Sequence, residues 1–151
     1  MNIDNYTDRA TSLFFRFKET MQRLLPSGSG KIFSVLGGLH EFEKRHGRPL
    51  TISEMARFSG LAVPNVRRLL KPFEEKDLFK KVKHGRKVSI VLTEKGKNVL
   101  AQSGQKFIAN IADAICALSE SERAAFLTSS EKILDYLERK EETKMQENID
   151  A

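Results

Sequence analysis

The sequence predicts a mainly α-helical fold with a small β-hairpin wing, in which a winged helix-turn-helix core is flanked by further helices. Three observations within residues 50–97 support this prediction: two short helical segments separated by a glycine, a lysine-rich hairpin after them, and the start of another helix. This order is typical of proteins that place one helix in the major groove of DNA and a basic loop on the flanking backbone.

Two helices are predicted before this core. Residues 4–25 repeat apolar side chains at helical spacing, and the Pro/Ser/Gly-rich residues 26–30 are expected to end the helix in a flexible joint. A second helix is expected over residues 31–46 and stops at 47–49. The adjacent glycines 37–38 weaken a helix, so they indicate close packing or a bend.

The helix-turn-helix begins at a capping box. The Thr51 hydroxyl can cap a free amide while the Glu54 carboxylate returns the bond, and Gly60 supplies the left-handed turn that ends this short helix. Pro64 suits the first turn of the next helix, where a missing amide proton costs nothing. The side chains predicted to face the core or to fill the gap between the two helices are Ile52, Met55, Ala56, Phe58, Leu61, Val66, Leu69, Leu70 and Phe73.

The wing and two final helices follow. Residues 78–83 and 88–92 alternate as two strands, with residues 84–85 at the tip between them. A helix is predicted to open directly after the second strand, and a second capping box at residues 119–122 opens the last one. After Glu138 the sequence is polar, and the helix is expected to fray.

Positive charge is confined to the proposed core. Residues 62–98 hold eleven Lys and Arg against four acids, a net charge of +7, whereas the whole 151-residue chain nets +6. Such a cluster binds a polyanion through counterion release. Nucleic acid is therefore favoured as the partner over the alternative, a solvated lysine-rich surface.

Other protein classes find little support in the composition. No apolar run approaches the roughly 18 residues that span a membrane, and the first ten residues lack the apolar segment of a secretory signal. The one cysteine, Cys116, cannot form an intrachain disulfide, which indicates a reducing cytoplasm.

Catalytic, metal and cofactor sites are not expected. Residues 27–31 (SGSGK) fail the phosphate-loop pattern G-x-x-x-x-G-K-[ST] at both ends, so a linker is favoured. The three histidines His40, His46 and His84 lack metal-ligand spacing. Cys116 is expected to be a small buried hydrophobe, with a redox switch as the alternative. No nucleophile–base or paired-carboxylate arrangement is present, so the chain is not expected to be an enzyme.

Residues 50–99 resemble the winged-helix core of the MarR (multiple-antibiotic-resistance-regulator) family of bacterial transcription regulators. The matching pieces are LTISEMA at 50–56, the register G-L-x-x-x-x-V-x-R-L-L at 60–70, F-E-E-K-x-L at 73–78 and VLTEKG at 91–96. Two helices before the core and two after it also fit the family order. The resemblance therefore covers nearly the whole chain.

The resemblance implies a homodimer built from the first helix and the last two. It also implies binding to a pseudo-palindromic operator, usually as a repressor, and a small-molecule or redox signal sensed between the dimer helices and the winged domain. On this basis the chain is one domain: helices of residues 1–47 and 97–145 dimerise, residues 48–96 form the DNA-binding core, and residues 146–151 are a frayed tail.

The chain departs from the family pattern at four places. Ala62 replaces the usual Ser or Thr cap, a loss of about 1 kcal/mol. Pro72 is expected to kink or split the recognition helix. Asp77 stands where family members commonly have glycine, and the short wing at residues 83–87 lacks the Asp-Arg pair that usually fixes the wing-tip arginine.

Candidate DNA-binding residues lie on the second helix of the motif. Pro64, Asn65 and Arg67 are predicted to contact base edges, since Asn pairs with adenine and Arg with guanine, whereas Pro can only touch a thymine methyl group. Arg68 and Lys71 are predicted to contact phosphates. The alternative for this set is a solvated helix face, and for Lys71 both interpretations stay open.

The wing supplies a second candidate set: Lys81, Lys83, Arg86 and Lys87. Arg86 is the most suited to enter the minor groove. The alternative, compatible with the first, is that these lysines protect an edge strand from unwanted pairing.

The sequence thus predicts a cytoplasmic, sequence-specific regulator of transcription that binds double-stranded DNA, most simply as a homodimeric repressor. A second hypothesis stays open, in which the winged helix serves as a protein-interaction or scaffold module with weak or no DNA binding. The short wing and the missing cap favour that alternative.

Overall fold

A computed structural model describes residues 3–25 and 30–150, with side chains described as far as residue 144. The expected joint at residues 26–30 lies largely outside this range. The helices and strands, in chain order, are α1 (Ile3–Leu24), α2 (Gly30–His46), β1 (Leu50–Thr51), α3 (Ile52–Ser59), α4 (Val63–Glu75), β2 (Phe79–His84), β3 (Lys87–Leu92), α5 (Glu94–Cys116) and α6 (Glu120–Asp150). The fold is mainly helical with a small antiparallel sheet, as the sequence predicts.

The chain forms two compact units, one within residues 1–108 and the other within residues 109–151. The first unit contains the helix-turn-helix, the sheet and the beginning of α5; the second contains the end of α5 and α6. None of the helices in the described ranges is long and apolar enough to cross a membrane.

The core of the first unit joins the helix-turn-helix to the wing. Buried apolar side chains come from α2, α3, α4 and all three strands, and Val66, Leu70 and Phe79 are almost completely enclosed. Because α4 and the base of the hairpin share this core, apolar packing fixes the position of that base relative to α4. The buried apolar set is Leu36, Leu39, Phe42, Leu50, Ile52, Ala56, Val66, Leu70, Phe73, Leu78, Phe79, Ile90 and Leu92.

The predicted capping box at the start of α3 is confirmed. The Glu54 amide donates to Thr51 Oγ1 (3.2 Å), and the Thr51 amide donates to Glu54 Oε2 (3.0 Å). Gly60 ends α3 with φ of +66°, a left-handed conformation that glycine adopts without strain. Ala62 provides no side-chain cap for α4, because its methyl group cannot accept a hydrogen bond.

Two residues predicted to be buried are exposed. Phe58 is 57% exposed and Leu61 is 40% exposed. Position 58 lies about 120° around α3 from Ile52 and about 160° from Ala56, so its ring lies at the margin of the core, with its centre 6.1 Å from that of the buried Phe42 ring. The gap between the two helices is filled by Val66 without Leu61.

The end of α4 differs from expectation. Helix α4 continues through Pro72 to Glu75, so the predicted split is wrong. Pro72 lies in the last turn of α4 and lacks one backbone hydrogen bond. Only three helical residues follow it, so the helix does not need that bond to continue far. Asp77 then adopts φ of +59°, the left-handed conformation for which glycine is the usual residue.

The sheet has three strands in the order β1-β3-β2, all antiparallel. The sequence did not predict β1, because two residues are too short to show alternation. The hairpin turn lies one residue later than predicted: His84 pairs with Lys87, and Gly85 (φ +62°) and Arg86 form the tip. Strand β2 is an edge strand, so its lysines also protect it from pairing with another chain.

The final helix is longer than predicted. The second capping box is confirmed, since the Glu122 amide donates to Ser119 Oγ (3.3 Å) and the Ser119 amide to Glu122 Oε2 (2.9 Å). The polar segment after Glu138 stays helical to Asp150, because it consists mainly of strong helix formers such as Glu, Lys, Arg and Met. Residues 146–150, for which a frayed tail is predicted, are helical in this structure.

A charged joint connects the end of α2 to the start of α3. The Arg48 guanidinium donates to both carboxylate oxygens of Glu54, at 3.0 and 2.6 Å, and lies 5.2 Å from the centre of the Phe42 ring. The hydrogen bond from Arg48 lowers the pKa of Glu54 to about 2, against a smaller opposing effect of burial. The Glu54 side chain is only 18% exposed, so solvent screens this pair incompletely.

The joint predicts a defined acid sensitivity. A carboxyl whose pKa is lowered on folding stabilises the native state above its unfolded pKa of about 4.3, and this stability is lost as the pH falls toward the folded value. Arg48→Met should therefore reduce the free energy of unfolding at neutral pH, by an amount that solvent screening of the half-exposed arginine keeps small. The difference from wild type should shrink as the pH falls from about 4.5 to 2.

Urea unfolding at neutral pH and at about pH 3 measures this effect. Lys44→Met is a matched control, because Lys44 and Glu41 form an exposed pair at 3.8 Å on one helix, and its effect should stay near zero. A loss for Arg48→Met that is equal at both pH values would contradict the assignment.

Candidate nucleic-acid interface

The exposed face of α4 carries the predicted base-contacting residues. Val66, Leu70 and Phe73 anchor the opposite side in the core. At about 100° per residue, Arg68 projects almost directly away from that side, and Asn65 and Arg67 lie at the two edges of the exposed face. The five predicted residues of this helix are all exposed: Pro64, Asn65, Arg67, Arg68 and Lys71. The helical geometry thus makes Arg68 at least as suited to base edges as Arg67.

The wing presents its cations on two faces. Side chains alternate along a strand, so Lys81 and Lys83 share the face of Phe79, which packs into the core beside α4. Lys87 pairs with His84 and lies on the opposite face. Lys83 therefore lies on the face of the wing that packs beside α4, and Arg86 lies at the tip.

Ion pairing divides the seven cations among the predicted residues into two groups. Lys71 pairs with Glu75 at 3.8 Å within α4, and Lys81 pairs with Glu74 of α4 at 2.7 Å. Arg67, Arg68, Lys83, Arg86 and Lys87 have no ion pair with any residue in the described ranges 3–25 and 30–144. These five exposed cations are free to bind phosphates or base edges.

Comparison with solved structures shows which fold this is. A MarR family protein from Bacillus stearothermophilus superimposes with a TM-score of 0.69 at 20% sequence identity, over 91% of this chain and 98% of that one. The chain has the fold of MarR family regulators. MepR, a transcription regulator of the Staphylococcus aureus multidrug efflux pump MepA, matches with a TM-score of 0.59 at 22% identity, over 84% of this chain and 97% of that one.

The structure of the S. aureus MepR–DNA complex also matches, with a TM-score of 0.61 at 21% identity over 83% of this chain and 96% of that chain. No protein-family model matches the sequence, and no curated protein does. The likeness is thus one of fold, and it extends over most of the chain.

Two basic residues of the MarR-like core were missed in the sequence interpretation. Arg57 lies on α3, exposed, with its guanidinium carbon 5.4 Å from the centre of the Phe58 ring. Lys80 is exposed on the same face of β2 as His84. Arg57 falls outside the charged segment 62–98, although the first helix of such a motif commonly crosses the DNA backbone.

Cys116 does not have the predicted environment. It is exposed at the end of α5, because it lies well over 90° around the helix from the apolar stripe formed by Phe107, Ile111 and Ile115. The prediction that Cys116 is a small buried hydrophobe is therefore wrong for the single chain that the structure describes. Among the described residues, no three His, Cys, Asp or Glu side chains are grouped to hold a metal ion.

Proposed function

We propose that the chain is a sequence-specific double-stranded DNA-binding regulator of transcription, acting in the cytoplasm. The observation that supports this most is the set of unpaired cations on α4 and the wing of a MarR-like fold, which includes Arg67, Arg68, Lys83, Arg86 and Lys87. Their positions match a helix that enters the major groove and a hairpin that follows the flanking backbone. In this proposal residues 48–96 are the DNA-binding core.

We further propose that the regulator is a homodimer, assembled through residues 1–47 and 97–145. Helix α1 is 22 residues long, and four of its large apolar side chains are each 56–63% exposed: Leu13, Phe14, Phe15 and Phe17. On α6, Phe126, Leu127, Ile133, Leu134 and Leu137 are also exposed. Exposed apolar surface of this extent is characteristic of protein interfaces, and a symmetric dimer is the commonest way to cover it.

A two-fold dimer would present two copies of α4, so the proposed operator is pseudo-palindromic. Bound there, the dimer would act as a repressor by occupying the promoter. Relief of this repression by a small-molecule or redox signal is the most detailed part of the proposal, and it rests on the family resemblance. No catalytic step, cofactor or metal is proposed.

Selection of bound duplexes from a random pool, at physiological salt, tests the proposal. The expected product is a palindrome whose half-sites lie about one helical turn apart, bound with an affinity that falls steeply with added salt. Recovery of no enriched duplex by a monomeric protein would overturn it. Stable co-purification with another protein would then support the alternative of an interaction module.

A further inference from the structure

The Glu74–Lys81 pair connects the recognition helix to the wing. Lys81 Nζ lies 2.7 Å from Glu74 Oε2, and the two side chains are 34% and 39% exposed. The neighbouring pair, Lys71 and Glu75, is longer at 3.8 Å, lies wholly within α4, and is 73% and 63% exposed. The two pairs therefore differ in length and in exposure, and only the first joins two elements.

Backbone hydrogen bonds hold the wing at its base, and β1 pairs with β3 as far as Ser89; beyond that level the hairpin, at residues 83–88, is paired only within itself among the described residues. The Leu78 amide donates to the Phe73 carbonyl (2.9 Å), and Thr93 Oγ1 donates to the Asp77 carbonyl (2.7 Å). Beyond this base, Lys81 is the one wing residue, within the described ranges, whose side chain reaches an acid on α4.

The tip is far enough from this contact for small rotations to matter. Four residues separate Lys81 from Gly85, a distance of about 13 Å along a strand. A rotation of about 10° at the pair would move the tip by about 2 Å, comparable with the tolerance of a hydrogen bond to a phosphate or a base.

We propose that Glu74 and Lys81 form a brace that sets the direction of the wing relative to α4, and that Lys81 acts as a positioning residue and not as a DNA contact. This inference rests on the proposed DNA-binding function. The Glu74–Lys81 pair would orient the short wing directly against α4.

Variants that remove one charge separate the two roles of Lys81. If Lys81 bound phosphate, Glu74→Gln would free it and strengthen binding to all duplexes alike. A brace predicts that Glu74→Gln and Lys81→Met each lower the ratio of operator affinity to random-duplex affinity by about threefold to fivefold, the range of a partly exposed ion pair. The double variant should lose no more than either single one.

Matched controls isolate the connection between elements from the change in charge. Glu75→Gln removes the same charge from the same helix, so it should leave the affinity ratio unchanged. The charge exchange Glu74→Lys with Lys81→Glu should recover most of the ratio. An unchanged ratio in Glu74→Gln, or a double variant that loses the product of the single effects, would overturn the brace.

A measurement without DNA separates this inference from the proposed function. Amide ¹⁵N order parameters at Gly85 and Arg86 should fall in Glu74→Gln and Lys81→Met and stay at the wild-type value in Glu75→Gln. Equal order parameters in all variants would refute the brace. A wild-type protein that selects no duplex would refute the proposed function alone, and the order parameters would still decide the brace.

Discussion

Gly96→Ala should destabilise the fold by about 3 kcal/mol or more, the largest effect expected of any single substitution considered. A Cβ at this buried position would overlap the carbonyl oxygen of Leu78 and stand 2.9 Å from its carbonyl carbon. That carbonyl cannot retreat easily, because it accepts a hydrogen bond from the Thr93 amide (3.2 Å). The clash involves backbone on both sides, so a change of rotamer cannot relieve it.

The free energy of unfolding in urea measures this effect, and Gly38→Ala is the matched control. Gly38 also lies within a helix, is exposed, and would place its Cβ in open space among the described residues. Alanine there should stabilise the protein by about 0.5–1 kcal/mol, because it favours helix and restricts the unfolded chain. Similar small effects at both positions would show that α5 and Leu78 are not in contact as described.

Arg67→Ala and Arg68→Ala should each weaken operator binding by about 1–3 kcal/mol and reduce sequence preference. Both side chains are exposed and unpaired on α4, and the guanidinium group pairs with guanine through two hydrogen bonds. Lys83→Ala should act differently, since a wing lysine that contacts the DNA backbone contributes charge and does not discriminate between bases. It should weaken operator and random duplexes alike and reduce the dependence of affinity on salt by about one counterion.

Titrations of operator and random duplexes at several salt concentrations distinguish these outcomes. If Arg67→Ala and Arg68→Ala both left affinity and preference at wild-type values, α4 would not be the recognition helix. A loss of preference in Lys83→Ala would instead place the wing lysine at base edges in the minor groove.

The features predictable from the sequence are those fixed by local chemistry. The capping box of Thr51 and Glu54, the left-handed Gly60 and the alternating hairpin strands each depend on residues within a few positions of one another. The charge of the core could also be counted directly. For the same reason the general location of the candidate site, on α4 and the wing, followed from the sequence.

Features that depend on contacts between distant segments could not be predicted. Gly96 matters because Leu78 lies against it, and Gly104 because the Phe33 ring packs where a Cβ would stand. By contrast, Gly37, which the sequence singled out, would place a Cβ at an ordinary 3.7 Å from Leu100. A glycine in a helical pattern gives no local sign of whether another element approaches it.

The pairing of site residues was equally hidden. The sequence placed Lys81 among the DNA contacts because it is basic and lies on the wing. Its partner Glu74 is seven positions away on another element, and only the packing of β2 beside α4 brings the two charges together. Hydrophobicity alone misled in the case of Phe58, because burial depends on which side of a helix the core occupies.

The link from Arg48 to Glu54 has a consequence for measurements of DNA affinity. This joint is ionic and partly open to water, so dissolved ions loosen it as they loosen contacts with phosphate. In the proposed DNA-binding role, added salt therefore acts on this joint between α2 and the helix-turn-helix as well as on contacts with phosphate. Counting phosphate contacts from a decline in affinity with added salt requires the salt dependence of unfolding to be subtracted first.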